Sequence, residues 1–116
     1  MSNFAGKRVA IGSALAGVPG VHGYAQRPST LAEGDAWPLL STLTRAAGDA
    51  FLVQWRVRVL LPQDEEAASD WLDDHWDALF YALKPHGHVI SAMPVMLAAS
   101  GGDLYAFEIT LQAEEE

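Results

Sequence analysis

The sequence predicts a two-layer α+β domain, with a mainly antiparallel sheet carrying two helices on one face in the order α-β-β-β-α-β-β. Three observations predict it. Residues 51–61 alternate apolar and polar; residues 72–83 repeat apolar side chains at helical spacing; and two tight, glycine-containing turns join pairs of apolar runs. Period two marks a half-buried strand, and a period near 3.6 marks an amphipathic helix.

The elements follow in chain order. Residues 3–17 read as a first helix, with Phe4, Ile11, Leu15 and Val18 at helical spacing and Lys7 and Arg8 inside the pattern. Ser2 or Asn3 is placed to cap it, and Gly17, Pro19 and Gly20 end it. Gly6 and Gly12 weaken its intrinsic propensity, so its stability must come from packing. Residues 21–25 form a short strand. Residues 26–35, rich in turn formers, read as a flexible loop, long for a hairpin connection.

Residues 37–45 and 51–61 flank the turn Ala46-Ala47-Gly48-Asp49. In the second run Phe51, Val53, Trp55, Val57 and Val59 face one way; Gln54, Arg56 and Arg58 face the other. Pro62 stops it. Asp64, Glu65 and Glu66 then favour a helix start, where negative charge complements the helix dipole. Leu72, His75, Trp76, Leu79, Phe80 and Leu83 make that helix's apolar stripe, with Asp70, Asp73, Asp74 and Asp77 off it, and Pro85 ends it. Residues 89–99 form a strand in which Pro94 signals an edge or a bulge. After the turn Ser100-Gly101-Gly102-Asp103, the last strand runs over residues 104–112 with Tyr105, Phe107, Ile109 and Leu111 on one face. One domain over residues 1–113 and an acidic, frayed tail at 114–116 complete the reading.

A chain of 116 residues, half of them hydrophobic and 19% charged, can bury a core and is too apolar for global disorder. Without cysteine, disulfides, thiolate chemistry and cysteine metal sites are excluded. The first residues lack the apolar block of a signal peptide, and no run approaches the ~20 apolar residues of a membrane span, so a soluble, intracellular product is expected. Seven basic and fifteen acidic residues give a net charge of −8, which argues against direct nucleic-acid binding. Seven of the acids fall between Asp64 and Asp77, a stretch without Lys or Arg.

Few residues carry a chemical signature. His86 and His88 form a His-x-His pair without an evident third ligand, whereas a metal site needs three or four; they read as a polar helix-to-strand loop. His75 lies on the apolar stripe and Asp73 and Asp74 off it, which marks a partly buried core histidine. The helix carboxylates share one solvated face, whereas acid–base chemistry needs contrasting environments. Neither the nucleophile-elbow pattern nor a phosphate loop is present around Gly12–Gly23. No catalytic residue, metal ligand or cofactor is predicted.

Association is better supported. Trp55 and Trp76 fall on core faces, Trp71 on the stripe's edge, and Trp37 is either core or subunit contact. Arg56 and Arg58 project from the central strand's opposite face, with Glu108 placed near them. An acidic helix and a basic strand face on one chain suit head-to-tail association, in which a ring can close. The subunit-contact candidates are Arg27, Trp37, Arg56, Arg58, Asp70, Asp73 and Asp77.

The same order of elements resembles the tail-terminator (tail-completion) proteins of long-tailed bacteriophages, especially those of actinobacteria. The matching stretches are Gly17-Val18-Pro19-Gly20-Val21-His22, Trp55-Arg56-Val57-Arg58-Val59-Leu60-Leu61-Pro62, the acidic helix from Trp71 to Leu79, and the final hairpin around Gly101-Gly102. The resemblance implies a virion protein assembled in the host cytoplasm. It would form a homohexameric ring on the tail tube, stop tube polymerisation and meet a head–neck connector protein. DNA would pass through the ring without being bound, and no cofactor or membrane is involved. Another head–tail connector, a minor tail protein and a small ferredoxin-like ligand-binding domain are the alternatives.

Overall fold

The computed structural model describes residues 3–115. Helix α1 (Phe4–Ala16) is followed by β1 (His22–Gly23), β2 (Asp35–Arg45) and β3 (Phe51–Leu60). Helix α2 (Glu65–Leu83), a 3-10 turn (Lys84–His86), β4 (His88–Leu97) and β5 (Leu104–Glu115) complete the chain. The fold is α+β in the predicted order, on one mixed five-stranded sheet ordered β1-β2-β3-β5-β4.

Both helices start as their sequences dictate. The Asn3 side chain accepts the Gly6 N–H at 2.9 Å, and the Asp64 carboxylate accepts the Ala67 N–H at 3.0 Å. Each bond satisfies a first-turn donor that lacks a helical partner. The Ser2 alternative lies outside the described residues.

One core joins the two layers. Ile11 and Leu15 of α1, Leu79 and Leu83 of α2, Val53, Trp55, Val57 and Val59 of β3, and Ile109 and Leu111 of β5 are all fully buried together. Fully burying a side chain of this kind contributes about 1.5–3 kcal/mol over exposure. Phe4 packs edge-on against Trp55, and Trp76 edge-on against Phe107. The helices therefore cover one face of the sheet. Phe51, at the far end of the same row, lies beyond that cover and is partly exposed.

The parallel pairing of β1 with β2 explains the length of the segment between them. Only His22 and Gly23 pair, with Asp35 and Ala36, and parallel neighbours need a crossover rather than a turn. Residues 24–34 supply it. This segment crosses the sheet's other face, where Leu31 packs with Trp37, Val95, Leu97 and Ala106 in a second, smaller core. Gly34 N–H donates to Leu60 O at 2.9 Å, and the Arg27 guanidinium donates to Ala98 O at 2.9 Å.

Four boundaries differ from expectation. The first strand is two residues rather than residues 21–25, because the chain leaves the ladder at Tyr24 to start the crossover. Asp35 belongs to β2 and is buried rather than in the loop. Pro85 sits inside the 3-10 turn, where its missing N–H costs nothing, so the stop comes at Leu83. Residues 113–115 continue β5 instead of fraying. They pair with Val53, Leu52 and Phe51, because the long β2–β3 hairpin offers a free ladder edge that outweighs their polar composition. Glu116 lies outside the described residues.

Two edges of the sheet stay open among the described residues. β1 covers β2 only at Asp35 and Ala36, and β4 has no outer neighbour, as Pro94 signalled. Shifts of register leave Ser41 in β2 and Ile90 in β4 out of the ladder.

Gly23 is the tightest point between helix and sheet. A β-carbon there would come within 2.1 Å of Gly12 O and 2.4 Å of Ala16 N, both backbone atoms that cannot move aside. Gly12, unfavourable within a helix, is what allows α1 to lie on this turn of chain.

Leu79→Ala, which empties the seam between α2 and the sheet, is expected to lower unfolding stability by about 2–5 kcal/mol in urea titration. The same truncation of half-buried Leu72 should cost clearly less; equal losses would contradict this placement of α2.

Candidate functional site

The helix-free face of the sheet carries a buried charge. Glu108 of β5 is only 8% exposed. It lies opposite Arg58 in the ladder, accepts the Arg58 Nε–H at 3.1 Å, and is 3.7 Å from Arg56 Nε. Gln54 donates to Gln112 at 3.2 Å further along the same two strands. The expected neighbourhood of Arg56, Arg58 and Glu108 is therefore present. Arg58 is mostly buried and structural, whereas Arg56 is half-exposed and reaches solvent.

Trp37, which the sequence left between core and subunit contact, is 2% exposed and belongs to the second core. Leu31 of the crossover segment packs against it. Arg27 lies beside it: its guanidinium stands 5.8 Å from the Trp37 ring centre and is exposed.

Arg27 and Arg58 meet a third arginine. Arg8, Gln26, Arg27, Trp37, Pro38, Leu39 and Arg58 line a cleft of about 420 Å³ that wraps around the open edge of β2. Arg8 arrives from the helical layer, where its guanidinium lies 5.7 Å from the Trp55 ring centre. Such cation–π placement holds a charge over an apolar wall without neutralising it. Among the described residues, neither Arg8 nor Arg27 has a carboxylate within salt-bridge distance. Arg8 was not among the candidates, yet its position was readable. It stands four residues after Phe4 and three before Ile11, on the stripe that faces the sheet.

The opposite edge is acidic. Leu72, Asp73, Trp76, Asp77, Ala92 and Phe107 line a groove of about 510 Å³ between α2 and β4, with an apolar floor and a carboxylate rim. Asp70, Asp73 and Asp77 are all exposed. Of the candidates, Arg27, Trp37 and Arg58 line the cleft at the β2 edge, Arg56 stands on β3 beside Glu108, and Asp73 and Asp77 rim the groove beside β4.

The histidines do not converge. His22 Nδ1 lies 3.3 Å from the buried Asp35 carboxylate, which also accepts the Ala32 N–H at 2.8 Å. These bonds anchor the start of β2. His75 stacks on Trp71 at 4.0 Å, and its Nδ1 is 2.7 Å from Trp71 O. Its ring abuts Gly20, so it is half-buried between α2 and the turn after α1. His86 lies in the 3-10 turn and His88 opens β4. No group of three or more metal-binding side chains occurs among the described residues. No helix among them is long and apolar enough to cross a membrane. Trp55 Nε1 is the one buried side-chain polar atom without a partner among the described residues.

Partial burial, and secondarily the Lys7 ammonium, hold the His86 imidazole below its ordinary pKa. The unfolded chain therefore takes up this proton at a higher pH than the folded one. Stability is lost as the pH falls through the ordinary histidine range. NMR titration of His86 should show a midpoint that rises in Lys7→Gln; an unchanged midpoint would remove Lys7 as a cause.

No family model matches the chain, and no curated protein is similar enough to stand as a relative.

Glu108→Ala, which strands Arg58, is expected to cost about 1.5–3 kcal/mol, the range for hydrogen bonds to charged groups. Arg56→Ala should cost under ~1 kcal/mol, as for exposed pairs. Urea unfolding of both variants checks the order, and a costlier Arg56→Ala would contradict it.

Proposed function

We infer that this chain is a structural subunit that assembles with copies of itself. On the resemblance drawn from its sequence, it is a tail terminator of a long-tailed phage. It would close as a ring, expected to be a homohexamer, on the head-proximal end of the tail tube. There it stops tube polymerisation and joins the tube to the neck. DNA passes through such a ring without specific binding, which suits a chain of net charge −8.

One observation carries the self-assembly reading: large apolar side chains stand exposed along both open edges of the sheet. Leu39 and Leu43 lie on β2, and Ile90, Met93 and Met96 on β4. Single exposed apolar residues need no explanation, but several on each of two edges suit contacts with neighbours. The molecule is also elongated, 47 × 30 × 21 Å, with a radius of gyration of 14.2 Å. A compact chain of this length would have about 13.4 Å. An extended subunit with different surfaces at its two edges favours heterologous contacts, the kind that build rings.

Sedimentation across a concentration series, with electron microscopy of the assembled fraction, tests this. Concentration-dependent oligomers that close into rings are expected. A monomer at every concentration would overturn it.

A further inference from the structure

We propose that the arginine cleft at the β2 edge receives the acidic face of α2 from a second copy of this chain, so that the copies join head to tail. This assignment rests on the self-assembly reading above and gives it a definite contact.

Charge complementarity selects the occupant. In a chain with fifteen acids and seven bases, three arginines converge on one cleft. Two of them, Arg8 and Arg27, have no carboxylate partner among the described residues. At the other edge, Asp70, Asp73 and Asp77 recur at helical spacing on one exposed face of α2. Their span is about 10 Å along the axis. None of the three is in a salt bridge among the described residues.

Apolar surface accompanies the charge on both sides. Leu39 on the cleft's wall is 43% exposed, and Leu72, Trp76 and Phe107 floor the groove beside Asp73 and Asp77. Docking would cover Leu39 and pair the charges around it, the arrangement of an apolar centre with a polar rim. Strand-to-strand pairing is the less suitable alternative at these edges. Pro38 stands on β2 and Pro94 on β4, and proline cannot donate to a ladder.

The two surfaces lie at opposite edges of one sheet, across the order β1-β2-β3-β5-β4. Each copy therefore offers one cleft and one acidic face, and the contact cannot satisfy itself within a symmetric pair. It propagates from copy to copy and closes into a ring where the rotation between copies permits.

Two charge-reversed proteins test the assignment. Asp73→Lys with Asp77→Lys alters exposed residues only, so the fold is kept; Arg27→Glu alters the cleft. Each alone is expected to weaken self-association ~100-fold or more, the effect of like charges forced together. Mixed in equal amounts, each retains the surface the other has lost, and the mixture should associate where neither variant does alone.

Wild-type association with unchanged association of the aspartate variant would overturn the contact, leaving self-assembly intact and placing it elsewhere, such as the β4 edge. Two monomeric variants whose mixture fails to associate would overturn the pairing of these two surfaces. Should Arg27→Glu not fold, as judged by circular dichroism, the aspartate variant is added to wild-type protein instead. Having an intact cleft, it should cap and shorten the assemblies; no effect would overturn the proposal. A wild-type protein that never associates would overturn both this contact and the function it rests on.

Discussion

The apolar row of β3 is the constraint on which the rest of the molecule depends. Val53, Trp55, Val57 and Val59 are fully buried, and strand geometry sends all four to the same face. Neither helix alone covers the row. Helix α1 brings Phe4, Ile11 and Leu15 over it, and α2 brings Leu79 and Leu83. Trp55 sits under α1 closely enough that Phe4 and Arg8 both lie against its ring. The glycine contact of Gly12 with the chain at Tyr24, and of Gly23 with α1, is a consequence: the helix must come down to backbone distance to reach the row.

Once that face is filled, the other face has to be satisfied differently. It carries arginines opposite a glutamate in the middle and a small apolar cluster at one end. The crossover from β1 to β2 closes that cluster, which makes residues 24–34 a structural cover. Gln63 fastens the same end. Its side-chain amide donates to Tyr105 O at 3.0 Å and accepts the Tyr105 N–H at 2.8 Å, standing in for a ladder residue where β3 has stopped. What the packing leaves open is the two sheet edges, and these differ in charge. Difference between edges is what a head-to-tail contact requires.

The parts of the structure legible in the sequence are those set by local periodicity. The alternation of β3, the stripe of α2, the Asn3 cap of α1 and the edge position announced by Pro94 depend on residues close in the chain. What stayed hidden depends on distant pairing. Nothing near His22 signals that it pairs in parallel with Asp35, or that β5 inserts between β3 and β4. Residues 113–115 look like a tail until the extended hairpin is present to pair with them. Trp37 was ambiguous because its cover comes from Leu31, Val95 and Leu97, which no spacing rule brings together. At the candidate surface, the aspartates and Arg56 and Arg58 follow from element faces. The cleft does not, since it gathers a helix, a crossover and two strands.

Hydrogen exchange measured residue by residue tests the central claim, that one buried row organises the molecule. The backbone amides of β3 and its neighbour β5, beneath both helices, should be the slowest in the protein and open only with global unfolding. Amides of β3 that exchange as readily as those of β4, the open edge, would contradict it.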